Sequence, residues 1–528
     1  MKLNYFEGQL DQYYLTAEDR ACLYDLQTTD PRDDKARIEN TKGGLLRDSY
    51  RWVLENQEFR EWISTEKPGE LLWIKGDPGK GKTMLICGII DELMAHSQGT
   101  ISYFFCQATD TRLNTSVAVL RGLIYLLIVK QPSLISHVRA RYDHSGKRLF
   151  EGINAWDAMS KIFTAILKDS TSIYLVIDAL DECVIGQPQL LDFLTQNSMA
   201  YPHVKWIVSG RNLPEIEETL NTIPQKTRLW LEINEKSVSQ AVDIFIHHKI
   251  QKLTDLKKYN QETQNAVMSH LLENARGTFL WVALVCQKLA ETPRLSTLQR
   301  LRTFPPGLDA IYQQMMDQVN GRDESRLCKQ VLAVASIAYR PITLQELTTL
   351  IDVDIPSDLA ANDLDSLADI IGYCGSFLTI SNHAVFFVHQ SAKDFLLKNA
   401  SAEILPDGLA AAHHRVFSQS LQVLEKTLRP DIYTLEAPGV SVSEAQAKKP
   451  RPDPLAEVQY SCVYWIDHLI CYSFDRPTNA NARDCDMISV FLTQKYLYWL
   501  EALSLLSSIP QGLVAMTKLE GVLLVSIW

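Results

Sequence analysis

Five short apolar runs mark the first part of the chain: Leu71–Lys75, Ile101–Phe105, Ile173–Ile177, Val204–Ser209 and Thr227–Ile233. Stretches with apolar residues at helical spacing lie between them. Apolar strands alternating with helices predict a parallel sheet covered on both faces. After Ile233 the strand pattern stops. Helical periodicity continues through Ser237–Ile250, Gln261–Asn274, Thr278–Ala290 and Leu308–Gln318. Ser237 suits an N-cap, and Phe304-Pro305-Pro306-Gly307 reads as a break. Further helices are expected over Glu324–Ala338, Thr343–Ile351, Leu364–Ile371 and Ser391–Lys398. Ser376–Ile380 and Ala384–Val388 alternate around Ser381-Asn382-His383 and predict a small hairpin.

These patterns divide the chain. Residues 1–40 are polar and acidic, with Asp30-Pro31 and Asp33-Asp34 marking a turn or N-terminal tail. Residues 41–235 form the α/β core, 236–305 a helical domain, and 306–400, with helices and one hairpin, a winged-helix domain. A helical segment covers 401–436. Residues 437–454 are rich in Pro, Ser, Ala and Lys and read as an exposed linker. Lys448-Lys449-Pro450-Arg451 within it fits a solvated linker better than a nuclear signal. Residues 455–528 are helical and aromatic-rich, and no repeat of 20–50 residues stands out.

One segment carries specific chemistry. Gly76-Asp77-Pro78-Gly79-Lys80-Gly81-Lys82-Thr83 spells G-x-x-x-x-G-K-[ST], between an apolar strand and a helix. Polyphosphate must be wrapped by backbone N–H groups, so glycines at 76, 79 and 81 keep side chains clear. The following helix, from Lys82 through Met84 onward, turns its free N–H groups and positive end toward the phosphates. Lys82 is expected at the β- and γ-phosphates and the Thr83 hydroxyl on Mg²⁺.

A second segment supplies carboxylates. Ile173-Tyr174-Leu175-Val176-Ile177 is a buried-strand pattern that ends in Asp178, with Asp181 and Glu182 within a turn. Strand ends are where open α/β sheets bind ligands. Asp178 is the expected partner of Mg²⁺, which takes hard oxygen ligands. Asp181 or Glu182 would orient or deprotonate an attacking water. A third strand ends in Ser209-Gly210-Arg211, which places Arg211 to sense the γ-phosphate.

Composition narrows the classes. A chain of 528 residues with 46% hydrophobic and 22% charged residues is globular and multidomain. Its net charge of −11 argues against nucleic acid as the partner. Ten scattered cysteines without a C-x-x-C pair fit a reduced, cytoplasmic protein without a zinc ribbon. The start lacks a signal-peptide pattern, and the longest apolar stretches, Leu120–Val129 and Gly512–Trp528, are too short or interrupted to span a bilayer. No G-x-S-x-G occurs. A metabolic P-loop kinase would lack so long a helical extension after Ile233.

With Ile177-Asp178-Ala179-Leu180-Asp181-Glu182, the phosphate loop resembles the NACHT domain of the STAND NTPases. Lys42-Gly43-Gly44-Leu45-Leu46-Arg47-Asp48-Ser49-Tyr50-Arg51-Trp52 resembles the lead-in of the fungal vegetative-incompatibility type. Ala275-Arg276-Gly277-Thr278-Phe279-Leu280-Trp281, the stretch from Phe386 to Leu396, and Lys495–Leu503 resemble the same group. Ala179 stands where this group often has glycine, and Gly277-Thr278-Phe279-Leu280 lacks the proline of plant and animal relatives. The resemblance implies a nucleotide-driven switch of NOD-like receptor type, closed by ADP or GDP and opened by ATP or GTP, with self-oligomerisation or binding of related receptors and effectors. It implies slow hydrolysis, and assigns His389 a contact with the β-phosphate in the closed state. A nucleotide-binding scaffold or adaptor without turnover is the alternative. Whole proteins of the family usually add an effector domain and WD40, ankyrin or similar repeats, and neither is read in these 528 residues.

Overall fold

The computed structural model describes residues 15–64, 71–97, 99–152, 154–201, 203–211, 213–224, 226–351, 364–374, 377–436, 439–474 and 482–526. They form two compact units, Met1–Ile311 and Tyr312–Trp528.

In the first unit, β1 (Leu71–Lys75), β2 (Thr100–Phe105), β3 (Ile173–Asp178), β4 (Val204–Gly210) and β5 (Lys226–Trp230) form one parallel sheet ordered β2-β3-β4-β1-β5. Leu71, Leu72, Trp73 and Ile74 of β1 are each 0% exposed, which is why this strand reads as an unbroken apolar run. The order matters for function. β4 lies between β1 and β3, so the loop after β1 and the carboxylates after β3 flank the end of β4. β5 is shorter than expected. It stops at Trp230 because the Asn234 backbone N–H and side-chain amide both donate to Trp230 O, at 3.1 and 2.8 Å, closing a turn over 231–234.

Four helices bear on the site: α1 (Pro31–Lys42), α2 (Lys82–His96), α3 (Glu235–Lys257) and α4 (Phe279–Glu291). α3 starts two residues before Ser237, so that serine lies inside the first turn and is not the N-cap. The N-terminal stretch is also corrected. Residues 1–14 lie outside the described residues, but Ala17–Leu26 and α1 are helices where a tail was expected. Asp30 caps α1, accepting from Arg32 N at 2.9 Å, and Pro31 occupies the first helical position, where its missing N–H costs nothing. Cys22 and Leu26 are 0% exposed, and the Arg121 guanidinium donates to the Leu26 and Asp25 carbonyls at 2.9 and 2.8 Å.

The second unit holds α5 (Ser325–Ile337) and a small antiparallel sheet of β6 (Ile342–Thr343), β7 (Leu378–Ser381) and β8 (Ala384–Phe387), ordered β6-β8-β7. The hairpin turns at Asn382 and His383, both at positive φ, as the alternation predicts; Ser376 lies outside the described residues. α6 (Gly408–Thr427) packs along α7 (Gln459–Phe474), and Trp465 meets Trp499 at 6.0 Å between ring centroids. Residues 437–438 lie outside the described residues, and 439–454 are mostly exposed but include one short helix. A Ser441–Glu444 capping box starts the helix Val442–Ala447, Ala445 is 2% exposed in the core around Trp465, and Gln446 Nε2 donates to Leu505 O at 3.0 Å. The structure is thus an α/β core with a parallel sheet, then helices, a winged-helix arrangement and a helical C-terminal region.

Candidate nucleotide site

β1 runs into loop 76–81, and α2 opens at Lys82. Gly79 and Gly81 take φ of +77° and +84°, a left-handed conformation that L side chains adopt only with strain. A Cβ at Gly81 would also lie 2.9 Å from the Phe279 ring, and one at Gly79 would lie 3.0 Å from Thr278 Cγ2. The start of α4 therefore rests on the phosphate loop. Leu280 N–H donates to Gly79 O at 3.4 Å and Lys80 Nζ to Arg276 O at 3.0 Å. Lys82 lies across its own loop, its Nζ donating to Gly76 O at 2.6 Å and Asp77 O at 2.9 Å. Burial pulls its ammonium below the usual lysine range, against the opposing pull of Asp181, Asp178 and Glu232.

The two motifs meet. The Thr83 side chain lies near enough to Asp178, which is 2% exposed at the end of β3, to lower its carboxyl. Ser209 Oγ donates to Asp178 Oδ1 at 2.5 Å and accepts from Ala179 N at 2.9 Å. Burial pushes the Asp178 carboxyl up, and the Ser209 hydrogen bond and the nearby Thr83 hydroxyl pull it back. Ala179 takes φ +53°, which explains why glycine suits that position.

The other candidates divide. Asp181 holds Arg211: its Oδ2 accepts from Arg211 Nε at 2.5 Å and its Oδ1 from Arg211 N at 3.1 Å. Glu182 Oε2 accepts only a backbone N–H, from Ala108, at 3.0 Å among the described residues. Burial first, and the Asp181 charge second, push the Glu182 carboxyl up to about 7. Pro78 sits in the loop's turn and Met84 in the first turn of α2. His389 lies in the second unit, as the N-cap of the helix Gln390–Lys398, with Nδ1 accepting from Ser391 N at 3.1 Å.

One carboxylate escaped the sequence reading. Glu232 Oε1 accepts from Asp77 N at 2.7 Å, while its Oε2 is buried without a hydrogen bond among the described residues. It follows β5 by two residues, and no motif marks it; only the sheet order brings it to the loop. Donor sets of this kind fit a magnesium-bound polyphosphate: left-handed glycines, a lysine over the loop, and a hydroxyl beside a strand-end carboxylate.

Comparison with known proteins agrees with this geometry. Residues 48–211 match the family described as Nephrocystin 3, N-terminal, and residues 312–406 that described as GPI inositol-deacylase, winged helix domain. The vegetative incompatibility protein HET-E-1 of Podospora anserina is 50% identical over 525 residues, covering 96% of this chain. The chain spans 38% of that relative's length. Among solved structures, a Walker-type ATPase of Pyrococcus abyssi is 10% identical at a TM-score of 0.32, covering 67% of this chain and 96% of that one. The Orc1 protein of Aeropyrum pernix in complex with DNA is 13% identical at a TM-score of 0.29, covering 68% of this chain and 93% of that one. The DNA of that complex belongs to that protein. With 50% identity across 96% of its length, the chain is similar to a fungal vegetative incompatibility protein, and its phosphate-loop core and winged-helix region each match a family of their own.

Proposed function

We propose that the chain is a nucleotide-dependent signalling switch that binds ATP or GTP with Mg²⁺ and hydrolyses it slowly. The observation that carries this reading is the approach of two motifs 95 residues apart to one site, where the Thr83 hydroxyl bears on Asp178 and the Asp178 and Asp181 charges bear on Lys82. Thr83 and Asp178 would hold the ion, whose charge would offset that of the phosphates. Gly76, Asp77, Pro78, Gly79, Lys80, Gly81, Lys82 and Met84 surround the phosphate tail. Lys82 exchanges its loop carbonyls for phosphate oxygens. Glu182 orients and deprotonates the attacking water, and Asp181 holds Arg211 toward the terminal phosphate.

In this reading the product is a change of conformation. His389 contacts the diphosphate in the closed form, and a contact made in one state only shifts the balance between states. The partners are other protein chains, by self-association or with related receptors and effectors, in the cytoplasm. Among the described residues no helix is long and apolar enough to cross a membrane. The second reading, a scaffold that holds nucleotide without turnover, is favoured by the Lys82 contacts with its own loop, which do not require catalysis.

Mass spectrometry of nucleotide retained after gentle purification tests binding and the choice of base. Release of labelled phosphate, compared with Lys82→Ala, tests turnover. Equal release from both proteins would leave the scaffold reading, and absence of retained or added nucleotide would end both.

A further inference from the structure

One asparagine ties the loop after β2 to the acids after β3. Cys106 N–H donates to Asp178 O at 3.0 Å, so the two strand ends leave the sheet side by side. The loop then closes on itself. Gln107 N–H donates to Leu113 O at 3.3 Å, and Asp110 N–H to Gln107 O at 3.0 Å. Asn114 follows, just before the helix Ser116–Lys130.

Asn114 bonds in two directions. Its side-chain Nδ2 donates to Ala108 O at 3.1 Å. Its backbone O accepts from Val184 N at 2.8 Å and from Ile185 N at 3.1 Å. Ala108 N–H in turn donates to Glu182 Oε2 at 3.0 Å. Ala108 is therefore held on both sides, by Glu182 at its N–H and by Asn114 at its carbonyl. The bonds make a closed circuit, from Glu182 through Ala108 and Asn114 to Val184, two residues beyond Glu182. A parallel bridge between Thr115 and Ile185, with Ser116 N–H donating to Ile185 O at 2.9 Å, extends the same seam.

Apart from the Glu182 carboxylate, the circuit has one side-chain link, the Asn114 amide. Asn114 is 5% exposed, and its Oδ1 is buried without a hydrogen bond among the described residues. An unpaired buried oxygen is costly, and a leucine of similar shape would avoid it. What the amide supplies against that cost is the Nδ2 bond to Ala108.

We infer that Asn114 is a positioning residue for Glu182: through Ala108 it holds the carboxylate in the orientation in which it meets the attacking water. This rests on the nucleotide-switch reading above, in which Glu182 takes the proton of that water.

The test compares full-length wild type, Asn114→Leu and Asn114→Ala. Both variants keep the backbone bonds to Val184 and Ile185. Phosphate release from ATP or GTP with Mg²⁺ should fall about tenfold or more, since a displacement of about 1 Å can cost about 100-fold. Binding of the β,γ-imido analogues should change less than about twofold. The Ala108 N–H favours the charged carboxylate, so its loss should also move the pH of half-maximal release up. A further readout needs no turnover. At pH 8 without nucleotide, Glu182→Gln should raise the melting temperature more in the Asn114→Leu background than in wild type, because the ionised carboxylate there has lost its donor. Additive melting shifts, or unchanged release, overturn the assignment. Release that falls without a move in the pH midpoint marks a packing role and overturns it too. Asn114→Ala carries the same comparisons should leucine disturb the fold. Wild-type protein that binds nucleotide but releases no phosphate overturns the hydrolysis reading itself, an outcome distinct from additivity in the melting comparison.

Discussion

The Arg211 guanidinium and the Asp181 carboxylate form a two-point contact, side chain to side chain at 2.5 Å and backbone N–H to side chain at 3.1 Å. The Asp181 side chain is 3% exposed and that of Arg211 26%. Both Asp181 oxygens are engaged, so Asp181 anchors the arginine, and the proposed mechanism leaves the role of base to Glu182. Removing the arginine strands a buried acid, which costs more than removing both charges. Arg211→Ala should destabilise the first unit by about 2–3 kcal/mol, and Arg211→Ala with Asp181→Asn by less. Thermal melting reads the order. A double variant that melts below the single one would show that the pair is not what Arg211 provides.

Glu182 predicts a pH dependence. Its carboxyl binds a proton more tightly in the folded protein, at about 7, than at its ordinary value of 4.5. Between these values the folded state holds the extra proton, so its contribution to stability falls as pH rises from about 4.5 to about 7 and stays low above that. Glu182→Gln should therefore melt higher than wild type at pH 8 without nucleotide, and the gain should vanish near pH 4.5. A gain of the same size at every pH would exclude the buried carboxylate as its cause.

Much of this was legible in the sequence, for physical reasons. β1 and β3 lie inside the parallel sheet, so their apolar runs needed no partner to be recognised, and Asp178 ends β3 where that pattern placed it. α1 was not legible. Its sequence, PRDDKARIENTK, shows one aliphatic side chain beyond alanine, and it is tied down by Asp30, by Lys35 with Asp91, and by Asp30 with Tyr125. Asp91 and Tyr125 are tens of residues away, and no local period encodes them. The same holds in the site. The motifs gave Lys82, Thr83 and Asp178, but Arg211 on Asp181, Glu232 on Asp77 and Phe279 over Gly81 depend on strand order and on α4 folding back.

Gly81 answers to two constraints that can be separated. Alanine there meets a left-handed φ, at about 1–2 kcal/mol, and the Phe279 ring at 2.9 Å. Gly81→Ala should lower the melting temperature and abolish nucleotide retention. Adding Phe279→Ala relieves the contact but not the backbone strain, so part of the stability should return and nucleotide binding should not. Full recovery of binding in the double variant would show that the aromatic contact alone excludes a side chain.

Glu346 joins the winged-helix part of the second unit to its C-terminal helices. It is 1% exposed and accepts from Arg340 at 2.9 and 2.6 Å, from Thr343 N at 2.9 Å and from Tyr460 N at 3.1 Å. Glu346→Ala strands a guanidinium and two backbone N–H groups, at about 1–3 kcal/mol each, so the loss should exceed about 3 kcal/mol. Glu346→Gln keeps one acceptor oxygen but turns an amide donor toward other donors, and should fall between alanine and wild type. Arg340→Met leaves the carboxylate with both backbone donors, so it should cost less than Glu346→Ala. Melting and limited proteolysis near residue 340 read this order directly. If Arg340→Met costs as much as Glu346→Ala, the ion pair and not the backbone contacts holds the joint.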